Sequence, residues 1–182
     1  MKNNETENEI RSGKLAANLI AGGYTVLCGI FLLLVGLKVF GESLSMRNMA
    51  LPTILLTVGL VFLTTAFVQW NSVSMWLAFV FVVPAAVSYI NNFTAASYAQ
   101  LYPLYIAIPA IASFFTMFMS CSKRDHLYII GFFGLIALIF AIQSSGLAGW
   151  GVTLPVLVVF VGLTIVLAAI KLNMRRTDED DE

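Results

Sequence analysis

The sequence predicts an all-α, polytopic membrane protein with six transmembrane helices arranged as three tandem helical hairpins. Three observations carry that expectation. First, 59% of the 182 residues are hydrophobic and only 11% are charged, whereas a soluble domain holds about 45–50% and about 25%. Mean hydropathy is accordingly high, at +0.89. Second, the charge is confined: between positions 15 and 170 it comes only from Lys38, Glu42, Arg47, Lys123, Arg124 and Asp125, with His126 beside them. Third, apolar runs near the length of about 20 residues that crosses the hydrocarbon recur six times.

The elements follow in order. Residues 1–14 form a polar tail of mixed charge. The run at 16–37 is longer than a signal-peptide core, and no clean cleavage site follows it, so it reads as a retained first helix. Within it Gly22, Gly29 and Gly36 recur every seven residues. That spacing puts three gaps on nearly one face, a close-packing seam for a second helix. Runs at 49–68 and 73–90 follow, joined by little more than Asn71 and Ser72, which forces an antiparallel turn. The third run is the shortest and contains Pro84. The fourth, 101–120, contains Pro109. The fifth, 127–147, weakens at Gln143, Ser144 and Ser145, and the sixth covers 152–172. Residues 173–182 are a charged tail whose acidic end is expected to stay unstructured. A β-barrel would show short alternating segments instead.

Orientation follows from the basic residues. With the N-terminus inside, Lys2, Arg11, Lys14, Lys123, Arg124, Lys171, Arg175 and Arg176 are cytoplasmic, and only Lys38 and Arg47 lie outside. Eight against two is the positive-inside bias. Six spans return the C-terminus to the same side. Trp70, Trp76 and Tyr128 then mark the inner interface, and Tyr89, Tyr98, Tyr102 and Trp150 the outer one. The expected location is the cytoplasmic (inner) membrane.

Internal repetition organises the chain. LPTILLTVGLVFLTTAF from Leu51, YPLYIAIPAIASFFTMF from Tyr102 and LPVLVVFVGLTIVLAAI from Leu154 align on Pro52, Pro103 and Pro155, spaced by 51 and 52 residues. Seven positions on stand Gly59, Ala110 and Gly162, all small. Each unit is one hairpin, at about 15–70, 73–120 and 127–172. Proline opens the second helix of each, and the small residue two turns later admits a neighbour.

Chemistry is sparse. No Asp, Glu, Lys, Arg or His lies deep in a span, where pumps and ion-coupled carriers keep them. Cys28 and Cys121 make no disulfide framework, and the single His126 excludes a histidine metal cluster. No nucleophile with a base, paired carboxylates or phosphate loop appears. The expectation is a chain without catalytic, cofactor-binding or metal-binding residues, without a cofactor, and without nucleic acid as a partner. Its partners are the lipid bilayer and other membrane proteins or copies of itself. Pro84 and Pro109 are the candidate kink or solute site, because proline frees a backbone carbonyl and bends a helix. Ser88, Asn91, Asn92, Thr94, Ser97 and Gln100 form an uncharged polar patch that reads as a solvated loop. Asn92-Phe93-Thr94 matches a glycosylation sequon, read as coincidence. The basic turn at 123–126 reads as a headgroup anchor.

The last hairpin reads IIGFFGLIALIFAIQSSGLAGWGVTLPVLVVFVGLTIVL. Its glycine-bearing helix, Gly-Trp turn, proline and glycine resemble the N-terminal hairpin unit of Lia-type cell-envelope stress proteins. The first hairpin is similar but lacks the tryptophan. HdeD-like bacterial membrane proteins resemble the chain in six-helix size. The likeness covers about 40 residues of the last hairpin and transfers no functional residue. It implies a link to envelope stress. The expected function is a non-catalytic scaffold or accessory subunit; the alternative is a channel or carrier for a neutral or apolar solute.

Overall fold

The structure is a computed structural model. It describes the backbone of residues 2–40, 44–94 and 97–180, and the side chains of 13–170 within those limits. Glu42 and the side chains of Lys2, Arg11, Lys171, Arg175 and Arg176 lie outside the described residues. Among the described residues every regular element is an α-helix: α1 (Lys2–Gly36), α2 (Met46–Gln69), α3 (Ser72–Phe93), α4 (Tyr98–Ile106), α5 (Ile108–Met117), α6 (Lys123–Ser144) and α7 (Trp150–Asp180). Five of them are long and apolar enough to cross a membrane, and the bent pair α4–α5 makes a sixth if it counts as one span. One expectation changes at the edge: the acidic end is helical where described, because α7 runs to Asp180, and the polar N-terminal tail is helical too, from Lys2. Extending an existing helix costs far less than nucleating one.

The chain divides into two compact units, Met1–Ala137 and Leu138–Glu182. In the first unit α2 packs on α1 and most extensively on α3, and α3 packs in turn on α5 and α4. The broadest contact, α2 with α3, therefore joins the end of the first expected hairpin to the start of the second. Local chemistry explains why these two helices fold back so tightly. At the end of α2, Trp70 adopts the left-handed conformation (φ 48°, ψ 46°). The N–H groups of Trp70 and Asn71 both reach the Ala66 carbonyl. Asn71 then caps α3, its Oδ1 accepting from the N–H of Val73 at 2.9 Å and of Ser74 at 3.4 Å. Such a cap satisfies donors that a helix start otherwise leaves open. Helix α1 closes the same way: Lys38 is left-handed (φ 57°) and the Val39 N–H reaches the Leu34 carbonyl.

Gly59 sets the spacing of α2 against α3. A Cβ there would meet Val82 Cγ2 at 2.6 Å, the Ala78 carbonyl at 3.1 Å and the Val82 N at 3.1 Å. Ala78 and Ala85 of α3 are completely buried, as is Ala66 of α2. Phenylalanines fill the remaining space. Phe62 stacks on Phe81 at 5.9 Å, and Phe79 on Phe115 of α5 at 4.0 Å. Of the five long helices α3 is the most enclosed, with 33% of its apolar window buried against 6% for α1.

The second unit holds the end of α6, a turn and α7. Gly146 takes φ 79° in that turn, a conformation glycine adopts without strain. The hydroxyls of Ser144 and Ser145 donate back to the Ala141 and Ile142 carbonyls. Phe140 and Trp150 meet edge-on at 6.2 Å. Thr153 is buried, and its hydroxyl donates to the Gly149 carbonyl.

Candidate functional site

The polar and irregular features of the first unit collect along the end of α3, which packs on both α2 and α4. The sequence expectation of one straight fourth span gives way to a break. Helices α4 and α5 bend by 42° at Ala107. Pro109 sits in the first turn of α5. It has no N–H to offer the Tyr105 carbonyl four residues back, and its ring crowds that carbonyl, which ends α4. The Ala107 N–H makes the last helical bond of α4, to the Pro103 carbonyl at 3.0 Å, and also reaches the Tyr105 carbonyl, and α5 restarts with Ile111 on the Ala107 carbonyl at 2.9 Å. Pro84 behaves differently: α3 runs without interruption through it.

Beside the break, the end of α3 is tied to the start of α2. Thr53 is 2% exposed. Its hydroxyl donates to the Met49 carbonyl at 2.6 Å and lies 2.7 Å from the Tyr89 hydroxyl. A hydroxyl carries one proton. Thr53 spends its proton on Met49, so Tyr89 donates to Thr53. One turn further out, Asn92 Nδ2 donates to the Asn48 carbonyl at 2.8 Å. Position 52, four residues after Asn48, is Pro52, which stands inside α2 rather than opening it as expected, and supplies no N–H. Asn92 thus fills the vacancy that Pro52 leaves in α2. On the other side of α3, the buried Ser88 meets the Tyr105 hydroxyl of α4 at 3.5 Å. Most other hydroxyls in the spans back-bond to their own helix, as Thr57, Thr64, Thr65 and Thr116 do. Ser113 is an exception: it is wholly buried, and its Oγ has no hydrogen-bond partner.

The expected site residues separate into three groups. Gly59 stands at a close helix approach, and Ala110 is buried in the packed face of α5. Pro84 lies on α3 one turn before Ser88, and Pro109 lies in the first turn of α5, four residues after Tyr105 of α4. Gly22, Gly29, Gly36 and Gly162 have nothing within 4 Å of where a Cβ would stand. Helix α1 meets its neighbour through another face. Ala17 and Val35 are buried, and Gly13 lies 3.6 Å from Val68. At about 100° per residue, the three glycines stand roughly 100–140° around the helix from the Ala17–Val35 line.

Of the polar patch, Ser88 is buried rather than solvated, and Asn92 is committed to α2. The sequon is thereby occupied, since the Thr94 hydroxyl donates to the Ile90 carbonyl at 2.6 Å. Ser97 and Gln100 start α4, the Gln100 Oε1 accepting the Ser97 N–H at 3.1 Å. At the basic turn, the Ser122 hydroxyl donates to Asp125 in the first turn of α6. Nδ1 of His126 is buried without a hydrogen-bond partner. Cys28 and Cys121 are both free thiols. Among the described residues no three His, Cys, Asp or Glu side chains could jointly hold a metal. The Thr53–Tyr89 and Asn48–Asn92 ties escaped the sequence reading. Pro52 was the available signal, because a proline inside a helix always leaves a carbonyl to be satisfied from elsewhere.

These helices mark the chain as a multi-pass α-helical membrane protein. No protein-family model, curated protein or solved structure matches it.

Proposed function

We propose that this chain is a non-catalytic scaffold or accessory subunit of the cytoplasmic membrane, linked to cell-envelope stress. It crosses six times, as three hairpin repeats, with both termini in the cytoplasm. The observation that carries the reading is the open glycine ridge of α1. Gly22, Gly29 and Gly36 leave gaps on a face that no described residue of the first unit fills. In lipid, association rests on close van der Waals packing at small residues rather than on a hydrophobic drive. Such a ridge suits another helix, from a second copy or from a different membrane protein. The test is purification of the native chain and of Gly29→Leu in mild detergent or nanodiscs. The native chain migrates as a multimer or with a stoichiometric membrane partner, and Gly29→Leu sheds it while staying folded. A native chain that runs as a bare monomer in lipid contradicts the reading.

A second reading is favoured by the broken α4–α5 span beside the buried Ser88–Tyr105 pair: a carrier or channel for a neutral solute. An uncharged pathway needs no buried charge. Reconstituted liposomes test it: uptake of a neutral solute is lost in Pro84→Ala or Pro109→Ala. Absence of flux for every neutral solute tried removes this reading.

A further inference from the structure

We infer that α4 is a hinged half-helix, pivoting at Ala107 against a fixed α2–α3–α5 frame, with the Tyr105–Ser88 hydroxyl pair as its latch. The hinge is read from the helices themselves, and it holds whether the chain acts as a subunit or as a carrier.

The two halves of the broken span are held very differently. Helix α5 buries Ala110, Ala112, Ser113 and Thr116. It stacks Phe115 on Phe79 of α3 at 4.0 Å. Helix α4 buries Pro103 among its nine residues and exposes Tyr98, Ala99, Gln100 and Leu104. It also packs less extensively on α3 than α5 does. Its hydroxyl contact to α3, Ser88 with Tyr105, is 3.5 Å long, at the weak end of hydrogen-bond geometry. Between the halves, the Tyr105 carbonyl has lost its helical donor to Pro109, so the backbone ladder that resists bending is open there.

The surface that α4 faces does not share this freedom. Thr53–Tyr89 and Asn48–Asn92 tie the same end of α3 to α2 at 2.7 and 2.8 Å. Gly59 holds the two helices at backbone distance further along. Motion is therefore confined to α4. Swinging it outward breaks the weak Ser88–Tyr105 contact and uncovers Ser88, otherwise 6% exposed.

Spin-label distances in the full chain in nanodiscs test the hinge. With Cys28→Ala and Cys121→Ser as background, one label pair sits at Ile54 and Leu104, reporting α2 to α4. A control pair sits at Ile54 and Ile90, reporting α2 to α3. The hinge predicts a broad or two-peaked distribution for the α4 pair and a single narrow one for the control. Pro109→Ala, which returns an N–H to the Tyr105 carbonyl, narrows the α4 distribution to one peak. Tyr105→Phe shifts its weight to the longer distance. The control peak stays narrow in each variant and certifies the fold. A native α4 distribution as narrow as the control, or one that Pro109→Ala leaves unaltered, overturns the hinge. An unchanged distribution in Tyr105→Phe removes the latch.

Discussion

Asn92 shows how one side chain can repair a backbone defect on another helix. Pro52 leaves the Asn48 carbonyl without its helical donor, and the Asn92 amide supplies one at 2.8 Å. In hydrocarbon an unsatisfied carbonyl has no water to turn to. Asn92→Ala should therefore cost about 1–2 kcal/mol, the scale of an interhelical hydrogen bond in membrane peptides. In a Pro52→Ala background the new Ala N–H takes over the carbonyl, and the same Asn92→Ala change should cost much less. Micellar unfolding titrations of the four chains give the coupling; equal costs in both backgrounds would show that Asn92 does not serve that carbonyl. Thr53 has a parallel role. Thr53→Val removes the acceptor for Tyr89 and should destabilise by about 0.6 kcal/mol, the mean for such bonds in a folded membrane protein. Thr53→Ser should be close to neutral in the same titration. Residue-scale features of this kind were only partly legible in the sequence. Asn92 could be read as polar, but its partner lies 44 positions away, and only tertiary placement reveals it.

Helices, by contrast, announce themselves. The apolar runs around α2, α3, α6 and α7 fall where the helices do, because a backbone in lipid has no other way to satisfy its polar groups than to coil. The fourth run was legible as apolar but not as broken. Pro109 gave the signal for a bend, yet Pro84 gave the same signal and α3 continues through it. Pro109 differs in that α4 has little packing to hold it in line, which is a tertiary property. The glycines divide on the same ground. Gly59 opposes the α3 backbone, whereas Gly22, Gly29 and Gly36 oppose no described residue of the first unit. Gly59→Leu should consequently force α2 from α3 and cost about 1–3 kcal/mol as overpacking, read as a lowered midpoint of thermal unfolding in detergent. Gly29→Leu should leave that midpoint nearly unchanged in the isolated chain. Similar losses at both positions would mean that the α1 ridge is packed after all. At the turn, Asn71→Ala should cost about 1 kcal/mol through loss of the α3 cap, measured the same way.

At the largest scale, the first unit is enclosed along α3 and open along α1. Small residues draw α2, α3 and α5 together. The face of α1 turned away from α2 stays apolar, with Leu19, Val26, Leu33 and Leu37 exposed. Under the proposed function, lipid or another membrane protein covers this surface. Sequence composition alone carried the assignment to the membrane, because 11% charge concentrated in turns and tails leaves little that water could solvate. The pairing of α2 with α3 was legible from the tight join at Asn71 and Ser72; that it is the broadest contact of the first unit, and that Trp70 and Asn71 cap it end to end, could not be inferred from hydropathy.

The bent span makes topology the sharpest question, and Cys121, exposed in the turn between α5 and α6, is a native reporter of it. If α4 and α5 together cross the bilayer from outside to inside, this thiol faces the cytoplasm; if they form a re-entrant loop, it stays outside. In a Cys28→Ala chain, a membrane-impermeant maleimide should label Cys121 in inside-out vesicles and leave it unmodified in intact cells. Labelling from the outside of intact cells would contradict six crossings with cytoplasmic termini.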